Sequence, residues 1–80
     1  MWLPVDRSEW PSWAKNAGGA WKHKAGHWLT VRGNPGVTLW ELFSSDGKVL
    51  SNQLDLPFEG GIGGLPLAWA SAELSRKGAL

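Results

Sequence analysis

Cysteine and tyrosine are absent from this 80-residue chain, methionine occurs once and histidine twice. Without cysteine there is no disulfide and no thiolate metal site, so a packed core, with or without a partner copy, has to hold the fold. With only His23 and His27 available, a zinc or iron centre would need Asp or Glu ligands as well. Across the turn argued below the two rings point to different faces, so no metal site is expected. No apolar run approaches the roughly 20 residues of a membrane span, and no basic segment followed by a long apolar run opens the sequence. Neither membrane insertion nor secretion is expected, and the cytoplasm of a host cell is the expected compartment.

Motifs for catalysis and cofactors are equally scarce. GGIGG at residues 60–64 precedes a helical pattern, and bare amides at a helix start attract anions. No Lys-Ser/Thr follows it, no third glycine stands at dinucleotide spacing, and Asp55-Leu56-Pro57-Phe58-Glu59 is a poor central strand. It reads as a hinge. Ser44, Ser45 and Ser51 lack a nucleophile turn, and a small sheet with one helix offers little room for an oxyanion hole and a pocket. We expect no enzyme and no cofactor. WxxW at Trp10–Trp13 matches a glycosylation signal of secreted proteins, which the expected compartment sets aside.

Tryptophan is what the chain has in excess: seven residues, with two phenylalanines. A chain of this size is expected to form one domain, spanning residues 1–80 and removing about 60–65% of its unfolded surface from water. Seven indoles are more than one such core comfortably encloses. Charge is uneven: Arg7, Lys15, Lys22, Lys24 and Arg32 against Asp6 and Glu9 give residues 1–33 a net +3, and residues 34–80 come to −2. That bias permits nucleic-acid binding without diagnosing it.

From His27 to Leu54 strand-like runs alternate with turn dipeptides: HWLTVR, GNPG, VTLWELF, SSDG, KVLSNQL. This is the pattern of a β-meander, with Ala20–Lys24 as a preceding strand. An Ala25-Gly26-His27 connection would pair Trp21 with Val31 and His23 with Leu29, separating apolar from charged side chains. GNPG then sets Val31 opposite Thr38 and Leu29 opposite Trp40. SSDG, with Gly47 left-handed and a bulge, pairs Leu42 with Leu50 and Phe43 with Val49. Face one becomes Trp21, His23, Leu29, Val31, Thr38, Trp40, Leu42, Leu50 and Leu54. Face two collects Lys22, Lys24, Trp28, Thr30, Arg32, Val37, Leu39, Glu41, Phe43, Val49, Ser51 and Gln53. VTLWELF is apolar on both sides, as a strand covered twice should be.

Residues 1–19 form an arm, irregular or short-helical, with Ser12 as a candidate N-cap for a turn over Trp13–Ala17 ended by Gly18. Trp10 and Trp13 would share a face of that turn, packed on the sheet or, alternatively, presented as an aromatic pair to a partner. Residues 55–64 are a Gly/Pro connector. Residues 65–77 read as a helix, with Pro66 in its first turn and Gly78 as its stop. Leu65, Ala68, Trp69 and Ala72 form one stripe; Leu67, Ala70 and Leu74 form a second. The expected fold is α+β: an antiparallel three- to four-stranded meander, one C-terminal helix packed on face one, and the N-terminal arm.

One helix covers one face, which leaves face two to the arm or to a partner. Lys22, Lys24 and Arg32 flank Trp28, with Leu39 and Phe43 on neighbouring strands. Basic groups beside aromatic rings suit phosphates and a stacked base. Glu41 among them opposes phosphate, and the aliphatic content suits protein contact. These six residues are the candidate partner-binding set.

At Trp28, Gly33, Val37-Thr38-Leu39-Trp40, Asp46-Gly47-Lys48, Phe58, Leu67-Ala68-Trp69-Ala70 and Glu73 the chain resembles small phage and prophage proteins built as a β-meander followed by one helix. Some proteins of that size and source are anti-CRISPR inhibitors. The resemblance covers about residues 20–77 in fold-pattern positions and transfers no site; unlike many such inhibitors, this chain is not an acidic mimic of nucleic acid. It implies a stand-alone inhibitor or adaptor working by surface occupation. The expectation is therefore a non-enzymatic protein that blocks or bridges a larger host protein or ribonucleoprotein. The alternatives are a small DNA- or RNA-binding domain using the same face, and a homo-oligomer, such as a homodimer, whose apolar face meets its own copy.

Overall fold

The computed structural model describes residues 1–34, 37–56 and 65–78. Five antiparallel strands lie in chain order in one sheet: β1 Trp2–Pro4, β2 Gly19–His23, β3 Trp28–Asn34, β4 Val37–Phe43 and β5 Val49–Leu54. Two 3-10 turns, Arg7–Glu9 and Ser12–Ala14, join β1 to β2, and the helix α1 spans Leu65–Arg76. The α+β meander with a C-terminal helix and a short-helical arm is as expected, with one strand more. None of the helices among the described residues is long and apolar enough to cross a membrane. The GNPG turn reaches into residues 35 and 36, and the connector with GGIGG runs through residues 57–64; both lie outside the described residues.

The extra strand is β1, whose three residues include a proline and show no alternation to read. Trp2, Leu3 and Pro4 pair with His23, Lys22 and Trp21. The Val5 N–H donates to the Ala20 carbonyl at 3.1 Å, so the Pro4 nitrogen one residue earlier faces the open edge, where a missing N–H costs no ladder bond.

Two hairpin registers differ from expectation by two residues each. Trp21 pairs with Leu29, and Val31 with Trp40. The β2–β3 connection is Lys24-Ala25-Gly26, closed by the His23 N–H on the His27 carbonyl at 2.8 Å, with Gly26 at φ +103°. A shift of two keeps every side chain on its expected face. The last hairpin begins as expected, Phe43 opposite Val49 with Gly47 at φ +93°. The bulge then places Ser51, not Leu50, opposite Leu42. Beyond it the faces exchange: Gln53 pairs with Trp40 and Leu54 with Leu39. Leu54, expected in the core, is 60% exposed on face two.

Face one carries the main core. Trp2, Trp21, Leu29, Trp40, Leu42, Ala70 and Leu74 are buried together, with Val31, Leu50, Leu56, Leu67 and Trp69 packed at their margin. α1 presents the Leu67–Ala70–Leu74 stripe, together with buried Pro66, while Leu65, Ala68 and Ala72 face out. The Trp2 indole N–H donates to Ser71 Oγ at 2.9 Å, tying the first strand to the last helix. Gly78 stops the helix at φ +74°, its N–H on the Ser75 carbonyl at 3.0 Å.

Leu74 is fully buried at the helix–sheet contact. Leu74→Ala is expected to cost about 2–5 kcal/mol, a large fraction of a domain stability of about 5–15 kcal/mol. Urea unfolding followed by tryptophan fluorescence measures it; a loss below about 1 kcal/mol would show that α1 does not seal the core.

Candidate functional site

Strand pairing sorts face two into rows. One row crosses the whole sheet: Leu3, Lys22, Trp28, Phe43 and Val49. The next holds Ala20, Thr30, Glu41 and Asn52, and a third holds Arg32, Leu39 and Leu54. Of the six candidate residues, Lys22, Trp28 and Phe43 share the first row, and Arg32 and Leu39 share the third. Lys24 lies in the turn after β2 rather than on the sheet face, its N–H reaching the Met1 carbonyl at 3.4 Å.

The middle of the first row is covered. Trp28 and Phe43, partner-binding candidates on a face left to the arm or to a partner, are 7% and 8% exposed. They form a second core with Trp10, Ala14, Ala17 and Ala20, with Val5 alongside. The cover is the N-terminal arm. Three alanines let its backbone lie close to the sheet, and the Trp10 indole N–H donates to the Val5 carbonyl at 2.8 Å, folding the arm on itself. The Arg7 guanidinium stacks over the Trp10 ring at 4.4 Å. Trp13 meets Trp28 edge-on, with centroids 6.1 Å apart, and Phe43 at 4.7 Å in a tilted contact. It remains 36% exposed, the outer tile of this layer. Gly47 makes room for it: a Cβ there would stand 2.8 Å from Trp13 Nε1. Trp10 and Trp13 thus pack on the sheet instead of being held out as a pair.

Charge around this layer is largely spoken for. Lys22 Nζ lies 5.4 Å from the Trp28 ring centroid, a cation–π distance. Arg32 Nε meets Glu41 Oε1 at 3.1 Å. Beside that pair a cavity of about 190 Å³ separates the arm from the sheet, lined by Trp13, Asn16, Thr30, Arg32, Glu41 and Phe43 among others.

The arm stops short of the third row. Val37, on the same face of β4, is 68% exposed and Leu54 60%, with half-buried Leu39 between them and Arg32 alongside. Val37 and Leu54 were not among the candidates. Alternation put Val37 on face two but gave no sign that the arm would miss it, and the bulge hid Leu54.

His23 is buried on face one against Trp2, ring centroids 5.0 Å apart. The Ala25 N–H donates to its Nδ1 at 3.1 Å, and the Met1 amine nitrogen is 2.8 Å from Nε2. Burial, then the positive charge of the N-terminus, His27 and Lys24 hold its pKa below the ordinary histidine value. Among the described residues no group of three His, Cys, Asp or Glu side chains gathers as a metal site.

Two measurements test this picture. Trp13→Ala is expected to cost about 2 kcal/mol, less than a fully buried tryptophan, and to raise iodide quenching of the remaining tryptophans, whereas Trp13→Phe preserves most of the cover. Unchanged quenching in Trp13→Ala would mean that the tile shields nothing. For His23 the folded pKa is lowered, so the unfolded chain takes the proton first: its contribution to stability is present above about pH 6.5 and is lost as pH falls from there through the folded value. The melting temperature of wild type should drop over that window and that of His23→Gln should drop less; equal slopes would remove His23 from the acid sensitivity.

No family model, curated protein or solved structure matches this chain.

Proposed function

We propose that this chain is a non-enzymatic binding protein, a phage-type inhibitor or adaptor, that acts by occupying a surface of a larger protein or ribonucleoprotein. The observation that carries this reading is the uncovered end of face two, where exposed Val37 and Leu54 flank half-buried Leu39 on adjacent strands. Aliphatic side chains grouped on a rigid sheet beside an arginine are the make-up of a protein-contact patch. Arg32 sits at its border already paired with Glu41, which suits a polar rim.

The same geometry supports a protein partner over nucleic acid. Stacking on face two needs an open ring: Trp28 and Phe43 lie under the arm, and the partly open Trp13 ring already packs against both. A phosphate at Arg32 would have to compete with the Glu41 carboxylate already paired to it. Lys22 and Lys24 remain exposed, so nucleic-acid binding has its own separable signature.

Affinity capture from the host, with wild type beside Val37→Asp/Leu39→Asp and Lys22→Glu/Lys24→Glu, distinguishes them. The expected result is a partner whose affinity falls about tenfold or more with the aliphatic pair and changes little with the lysine pair. A partner lost with the lysine pair and released steeply by salt would establish the nucleic-acid reading instead.

A further inference from the structure

The two edges of the sheet are built differently. β1 is three residues long, and Pro4 occupies an outward-facing position with no N–H to offer; shortness and proline are both devices that prevent a further strand from adding. β5 has six residues, Val49 to Leu54, with no charge and no proline among them. Its pairing with β4 fixes which backbone groups point outward. The Asp55 N–H donates to the Thr38 carbonyl at 2.8 Å, and Gln53 and Ser51 pair with Trp40 and Leu42 in the same phase. The intervening Asn52 and Leu54 therefore turn their N–H and C=O groups away from the sheet. The bulge at Leu50 bends the start of the strand and leaves Ser51–Leu54 regular. Among the described residues no strand lies beyond it.

We infer that β5 is the edge at which two copies of this chain join, antiparallel across a two-fold axis beside Asn52, so that the sheet continues from one protomer into its partner. Charge selects the orientation: Lys48 stands at one end of the strand and Asp55 at the other, both exposed. Antiparallel pairing sets each Lys48 near the partner's Asp55, whereas parallel pairing would set like beside like. Exposed apolar groups agree. Val49 is 48% and Leu54 60% exposed, both on face two, and an axis perpendicular to the sheet brings Val49 of each protomer toward the partner's Leu54. Because β1 cannot accept a strand, association closes at a pair rather than extending into a fibre.

Sedimentation of the full chain from the micromolar to the millimolar range tests the inference. Wild type is expected to reach twice its 8.7 kDa chain mass. Asn52→Pro removes an outward N–H without touching the β4 ladder, as Pro4 does in β1, and is expected to stay at single mass with unchanged near-ultraviolet circular dichroism. Amide exchange of wild type gives an independent readout: the Asn52 and Leu54 amides should slow about tenfold or more as the dimer forms. A wild-type chain of single mass throughout overturns the proposal. So does a dimer that survives Asn52→Pro with the fold intact, or one in which those two amides exchange as fast as in dilute solution. The exchange readout decides alone should Asn52→Pro fail to fold.

Discussion

A strand that is apolar on both sides cannot leave either side in water, and β4 imposes that condition on the whole molecule. Trp40 and Leu42 point one way and Phe43 the other. An 80-residue chain has little material for two covers, and this one assigns its C-terminal helix to face one and its N-terminal arm to face two. Each cover is thin: Ala70 under the helix, and Ala14, Ala17 and Ala20 under the arm, hold backbone close to sheet. The bulk that fills each layer then has to come from a few large side chains.

That need accounts for the tryptophans. Trp2, Trp21 and Trp40 lie in the face-one core with Trp69 at its margin; Trp10 and Trp28 lie in the face-two core under Trp13. Seven indoles overfill one core of this size and suit two. Trp2 and Trp10 are eight positions apart yet serve opposite faces: Trp2 points to face one from β1, and the chain turns onto face two as it leaves that strand. Val5 marks the passage, its N–H on the Ala20 carbonyl and its side chain against the second core.

Face membership was legible in the sequence because side chains alternate with a period of two. The β2–β3 and β3–β4 registers each stand two residues from the simplest guess, and Trp21, Leu29, Val31 and Trp40 stay on the same face under that shift. A bulge acts differently. It adds one residue, half a period, so Leu54 and Gln53 trade faces although the turn and its first pair, Phe43 with Val49, are as read. β1 was illegible for another reason: three residues ending in proline contain no period. The arm was legible only as a choice. Trp10 and Trp13 could pack or be presented, and their spacing is the same in both; what decides is the room that Gly47 and the three alanines leave for them.

The proposed contact patch lies where the two covers end. Had the alternation continued through β5 without a bulge, Leu54 would have joined Trp40 and Leu42 beneath the helix, and the far end of face two would have carried Gln53 in its place. The extra residue moves a leucine out of the core to a position beside Leu39, within reach of exposed Val37. It does so on the strand whose outer backbone is free of proline and charge. Candidate patch and candidate edge therefore share a single cause. Neither requires a residue type unusual for a sheet; both depend on one added backbone unit at Leu50, which composition and motif content do not reveal.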